Sequence, residues 1–237
     1  MSFSHHPSCK IRHSKRAKHI LLRVTAEDGL VATLPRGANR KALDRALLEH
    51  ADWIEKQTIR VSRDRERLLL ARHTRPEELE FRARGQSLQL HYQTTSGSRS
   101  RIISRGNELH INTPDIGDIE TIHQQLSNYI RREAKQFLGK RLELLSERHG
   151  LRYTGLSIRR QKTRWGSCSA RHRINLNDKL LFLPEPLMEH VLLHELAHTR
   201  HLNHSPRFHA LLRDLDPETS QHRNALRHAN QYIPAWL

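Results

Sequence analysis

The stretch Leu193-His194-Glu195-Leu196-Ala197-His198, followed by Thr199-Arg200-His201-Leu202-Asn203-His204, decides how this chain is read. Residues four apart on a helix share a face, so His194 and His198 can aim their imidazoles at one ion. Glu195 sits about 100° round the helix, near enough to handle a water at that ion without ligating it. The chain is rich in histidine, 19 of 237 residues. Even so, H-E-x-x-H is expected by chance only about 0.1 times here, and about 0.01 times with the further histidine at the sixth following position.

The pair His194/His198 sets the ion roughly level with residue 196. His201 lies about 7.5 Å further along the axis, at or beyond the reach of an imidazole, and is a poor ligand unless the helix ends early. His204 follows a helix-stop signal at Asn203, expected in a left-handed conformation, and precedes Ser205-Pro206, a cap and first-turn proline for the next helix. The turn can therefore fold His204 back as third ligand. Glu218, on a later segment, is its rival. Three neutral histidines suit Zn²⁺ and leave a fourth position open, the catalytic arrangement. Glu195 is then placed to take a proton from water and pass it to a leaving amine. His190, one turn before His194, can support a ligand but reads more simply as a solvated residue.

Working outward, Pro184-Glu185-Pro186 starts the motif helix, expected from about Glu185 to Leu202. Upstream, Asp118 opens a long helix to His149, capped by Gly150, with Ile122, Leu126, Ile130, Phe137, Leu142 and Leu145 as its apolar stripe. Leu156–Arg160 and Arg173–Leu176 read as strands. Trp165-Gly166-Ser167-Cys168 reads as a packed turn with a small buried thiol rather than a thiol reaching the metal. The N-terminal half is β-rich. Three hairpins are expected, around Glu27-Asp28-Gly29, Arg84-Gly85-Gln86 and Gly106-Asn107. One helix starts at Arg40 under an Asn39 cap, and the charge-dense stretch after Arg60 either prolongs it or links it onward. The class is α+β. Three regions are expected: a poorly ordered basic arm at 1–18, a β-rich region at 19–114, and a catalytic part at 118–237.

A formal charge of +16 and a pI near 10.8 point to anionic partners. From Arg148 to Asn177 eight Lys/Arg stand with no Asp/Glu. That run is a solvated basic face or a seat for DNA or another polyanion, testable by charge reversal at Arg159 and Arg160. Only two cysteines, far apart, no secretory signal and no membrane-length apolar run lead to the expectation of a cytoplasmic protein without a membrane partner.

Several motifs carry a resemblance. The run from Arg160 through Thr163-Arg164-Trp165-Gly166-Ser167-Cys168-Ser169, then Ile174-Asn175-Leu176-Asn177, His194-Glu195-Leu196-Ala197-His198 and Asn203-His204-Ser205 resembles the YgjP-like metallopeptidases, relatives of the SprT and WLM zinc proteases. The N-terminal stretches Ala17–Val24 and Leu30–Pro35 look like the β-rich start of that family, whereas His209 stands where the family usually has tryptophan. The resemblance implies a minimal zincin-like domain with a long helix, a small sheet and the metal helix. By it, His194, His198 and His204 bind one zinc and Glu195 is the catalytic acid/base. A protein or peptide would be the substrate. In related zincins a strand before the metal helix receives an extended peptide by edge pairing, and Ile174, Asn175, Leu176 and Asn177 are the candidates here. Arg164 and Tyr232 are candidates to steady the oxyanion. A basic nucleic-acid-binding module with structural zinc, a DNA-associated SprT-like protease and a non-peptide amidohydrolase are the competing functions.

Overall fold

The computed structural model describes residues 9–25 and 28–237, and the chain divides between Arg72 and His73 into two compact units. In the first, strands β1 (Lys10–Ser14), β2 (Leu21–Thr25) and β3 (Gly29–Pro35) form a sheet in the order β1-β3-β2. β2 and β3 make the expected hairpin, with Thr25 opposite Gly29; Glu27 of its turn lies outside the described residues. Part of the stretch read as an ill-ordered arm is strand: β1 runs parallel to β3, and residues 1–8 lie outside the described residues. No periodicity marks it, because β1 is an edge strand almost wholly exposed. Backbone pairing and two ion pairs to Asp28, from Lys10 and Arg12 at 2.7 Å each, hold it instead.

The single helix expected here is two, α1 (Arg40–Glu49) and α2 (Ala51–Arg72). Asn39 caps α1 by accepting from the Ala42 amide, and the backbone leaves helical geometry at His50 (φ −110°, ψ 18°). The charged stretch after Arg60 continues α2, of which only Ile54 is buried. Leu30, Ala32 and Leu34 of β3 pack with Leu43, Leu47 and Ile54 as this unit's core.

The second unit begins with β4 (Glu78–Phe81), β5 (Gln86–Thr94), β6 (Arg101–Arg105) and β7 (Glu108–Thr113), ordered β4-β5-β7-β6. Gly85 (φ +61°) and Gly106 (φ +58°) turn its two hairpins in left-handed geometry that glycine adopts without strain. Helix α3 (Ile119–His149) follows, its first turn capped by Asp118 and its end by Gly150 in the left-handed conformation. The break read at 114–118 is therefore a loop within one unit. Leu109 and Ile111 of β7 share a fully buried core with Ile122, Leu126 and Ile130 of α3. Burying such a side chain stabilises by about 1.5–3 kcal/mol, so a cut there would strip two halves of one core.

A small sheet, β8 (Gly155–Arg159), β9 (Gly166–Cys168) and β10 (Arg173–Asn177), stands before a buried 3-10 turn over Asp178–Phe182. Then come α4 (Glu185–Ala197), α5 (Pro206–Leu215) and α6 (Thr219–Leu226). The whole is mixed α+β, six helices and three small sheets among the described residues. No described helix is long and apolar enough to cross a membrane.

Candidate active site

Helix α4 carries the motif. Pro186 sits in its first turn, and Leu187, Met188, Val191, Leu192 and Leu196 sink into the core, which fixes the helix against rotation. The helix ends at Ala197, five residues before the expected Leu202. The Thr199 hydroxyl donates to the Leu196 carbonyl at 2.7 Å, and the amides of Thr199 and Arg200 reach back only three residues, so the ladder tightens and stops. Asn203 does not take the left-handed conformation expected of it. Among the described non-glycine residues only His172 has positive φ. The early tightening already frees the chain to turn, and Ser205 then caps α5 by accepting from the Phe208 amide.

This turn brings His204 to the motif. One ligand atom from each of His194, His198 and His204 lies within 4.8 Å of the others. The Nε2 atoms of His194 and His204 are 3.2 Å apart. Two nitrogens on a tetrahedral zinc with bonds of 2.0–2.1 Å stand about 3.3 Å apart, so the donors fit that ion. Phe208 backs the triad, stacked on His198 with ring centroids 4.5 Å apart and edge-on to His194 and His204. His198 Nδ1 donates to the His201 carbonyl at 3.0 Å, which fixes the tautomer and leaves Nε2 free as a ligand. His201 thus serves through its backbone even though the helix does end early. Burial, with the neighbouring histidines, pushes His194 down to about 3 and keeps it in the neutral form that binds metal.

Glu195 is 4% exposed, and its Oε2 has no hydrogen-bond partner among the described residues. Burial pushes its carboxyl up to about 8, with the Arg164 charge pulling the other way. Gly166 of β9 makes room for it. A Cβ there would sit 2.6 Å from Glu195 Oε1 and 2.7 Å from its Cγ, so any larger residue must displace the carboxylate. The Trp165–Cys168 run, expected as a packed turn, includes this short strand. The Cys168 thiol stands outside the histidine group, pushed up to about 11 by burial and then by the Glu195 charge.

Other residues fall elsewhere than expected. β10 is the middle strand, parallel to β8 on one side and antiparallel to β9 on the other, so Ile174–Asn177 have no free edge for a peptide. Ile174, Leu176 and Asn177 are also buried. The sheet edge beside Glu195 is β9. Arg160 is not available for a polyanion either. It donates to the fully buried Asp178 carboxylate at 2.7 Å and to the Ser127 hydroxyl at 2.7 Å, an internal strut. Arg159 donates to Asn175. Glu218 is drawn to His222 rather than to the triad, and the Tyr232 ring lies under the Arg82 guanidinium. Arg164 does line the cavity that opens beside His194 and Glu195.

A second cluster went unread in the sequence. His190 is buried, not solvated, and its Nδ1 lies 2.5 Å from Asp216 Oδ2. His222 Nδ1 meets the same carboxylate at 2.9 Å, and the Glu218 amide donates to its Oδ1 at 3.1 Å. The signal available was a histidine on the apolar side of α4, where an unpaired polar group would be costly and a partner must exist.

A mixed α+β unit presenting histidines from a core helix, with a buried carboxylate next to them, defines a metallopeptidase. The chain belongs to the YgjP-like family, whose metallopeptidase-domain model matches residues 18–229. Membership implies a metal cofactor. Neither the curated proteins nor the solved structures give a match to the chain.

Proposed function

We propose that this is a zinc-dependent peptidase of the H-E-x-x-H-x5-H type, with His194, His198 and His204 holding the ion and Glu195 as general base. One observation carries the reading: three imidazoles converge beside a buried carboxylate whose Oε2 has no hydrogen-bond partner among the described residues. When bound, zinc would lower the pKa of a water and polarise the scissile carbonyl. The rest falls to the chain's own side chains. Glu195 Oε2, buried and without a hydrogen-bond partner among the described residues, takes the proton of a water and passes it to the leaving amine. The His201 carbonyl orients His198. The free edge of β9, next to Glu195 through Gly166, pairs an extended peptide across the site. Arg164, on the same wall, is the candidate to meet developing negative charge.

Replacing Glu195 with Gln tests this. The variant should keep one zinc per chain while kcat on a general peptide substrate falls by about 10²–10⁴-fold. Undiminished turnover would move the site to a structural zinc in a basic binding module. Against that reading, the converging group holds three ligands and no cysteine among the described residues, where structural zinc closes its fourth position with protein.

A further inference from the structure

The cavity beside His194 and Glu195 measures about 480 Å³. Its floor is apolar, from Trp165, Val191, Leu212 and Leu226. Three guanidinium groups stand on its walls, each from a different element: Arg164 from the loop before β9, Arg213 from α5 and Arg223 from α6. The helical spacing aims them there. Leu212 and Arg213 lie three and four residues past His209 on one face of α5, while Thr219, Arg223 and Leu226 follow at i, i+4 and i+7 on α6.

None of the three has a carboxylate or hydrogen-bond partner for its guanidinium among the described residues. Three arginines elsewhere in this unit, by contrast, are held by carboxylates. Arg84 pairs with Glu133 at 3.0 Å, Arg141 with Glu185 at 2.8 Å, and Arg160 with Asp178 at 2.7 Å. Among the described residues, Glu195 is the only acidic one lining the cavity. Three like charges facing one water-filled space repel one another, and an anion in that space relieves the repulsion. The planar guanidinium fork matches a carboxylate with two parallel hydrogen bonds, and the apolar floor suits the carbon stem that carries it.

We propose that this cavity is a substrate subsite that selects peptides by a carboxylate, on an acidic side chain or at the chain's C-terminus, held by Arg213 and Arg223, with Arg164 left to the developing negative charge. The proposal rests on the peptidase reading above. The volume falls within the range of ligand pockets, and its place beside Glu195 puts the selected residue next to the cut bond.

The test compares wild-type zinc enzyme with the Arg213→Gln/Arg223→Gln double variant. Arg164 is left alone because its charge reaches Glu195. Both altered side chains are exposed, so folding is checked by zinc content and melting temperature, expected unchanged. Two readouts are taken: cleavage by the active enzymes, and binding of labelled peptides to zinc-loaded Glu195→Gln forms. One peptide set exchanges an internal Glu for Gln, and the other exchanges a free C-terminal carboxylate for an amide. The wild type should favour the carboxylate at least about tenfold in one set, which names the source, and the double variant should lose that preference. The preference should also fall with added salt. Equal handling of charged and neutral peptides, or a preference surviving in the double variant, overturns the subsite while any cleavage leaves the peptidase reading standing. Selective binding without cleavage of any peptide overturns the peptidase reading and keeps the anion site. Tighter binding of a phosphoserine peptide than of its Glu counterpart overturns the carboxylate assignment.

Discussion

Helix α4 feeds two histidine clusters one turn apart, and they solve opposite problems. His194, His198 and His204 bring ring nitrogens together, while His190 and His222 close on the Asp216 carboxylate. Distance alone qualifies both as places for a metal. Hydrogen bonding separates them. Asp216 receives His190, His222 and the Glu218 amide on two oxygens, so that cluster is satisfied from within. In the first cluster the outer nitrogen of His198 is tied to a carbonyl, which leaves its inner nitrogen free beside the ring nitrogens of His194 and His204. A cluster that turns lone pairs inward calls for a cation, whereas one that turns N–H groups onto a carboxylate has its counter-charge already. On the proposed reading the first is the site, and the second is the brace that holds the N-terminal side of the motif helix against the segment before α6.

The comparison is broken most forcefully at His204. His204→Ala should lower zinc affinity by more than the 10–100-fold typical of losing an outer partner, with peptidase activity lost in step. Metal analysis after dialysis against graded chelator reads this directly. Stoichiometric zinc retained under those conditions would reassign the third ligand, with Glu218 the next carboxylate in the chain to examine.

How much of this was legible differs between the clusters for a physical reason. His194, Glu195, His198 and His204 could be read because one helical period and one helix stop place them, and both are local. Asn203-His204-Ser205 announced the turn even though Asn203 does not adopt the backbone expected and the helix closes by a tighter last turn. Asp216 and His222 could not be read, because they meet His190 only through the path of the chain beyond α5. The same divide runs through the fold. Helix α3 matched its signals from Asp118 to Gly150, since caps are written in adjacent residues. Strand β1, polar and paired in parallel with a strand about twenty residues on, left no local mark. The edge role expected of Ile174–Asn177 failed likewise, because β9 pairs with β10 through only three residues, Gly166–Cys168, too short a run for alternation to show.

The brace is tested next. Asp216→Ala leaves one buried and one half-buried imidazole and an amide without their acceptor, and should lower stability by about 3–5 kcal/mol, read by urea denaturation at pH 7. His190→Gln should cost less, about 1–2 kcal/mol, and its deficit should shrink as the pH falls from 7 to 5. The sign follows from burial, which pushes His190 below its ordinary value despite the Asp216 carboxylate. The unfolded chain binds a proton there near pH 6.5 while the folded chain resists it, so the wild type loses stability on acidification and the variant lacks that loss. Burial works to raise the Asp216 carboxyl, but the bonds from His222 and His190 outweigh it and hold it low, so it stays charged across this window. A deficit that grows toward pH 5 would show that His190 is charged in the folded protein.

The smallest expected effect sharpens the ligand set most finely. His201 sits three residues from both His198 and His204 and looks, by proximity, like a ligand. Its contribution is its carbonyl, which accepts from His198 Nδ1, and a carbonyl survives any change of side chain. His201→Ala should therefore keep zinc content, change kcat/KM less than about twofold and move stability within about 0.5 kcal/mol, as for a surface substitution. His201→Pro alters the backbone instead. It removes the amide that bonds to the Ala197 carbonyl at 3.1 Å and fixes φ, shifting the carbonyl that orients His198. Zinc affinity should then fall by about 10–100-fold, the usual effect of losing the partner that aims a ligand. If alanine removes zinc as readily as proline does, the imidazole of His201 is in the coordination sphere and the tightened end of α4 exists to bring it there.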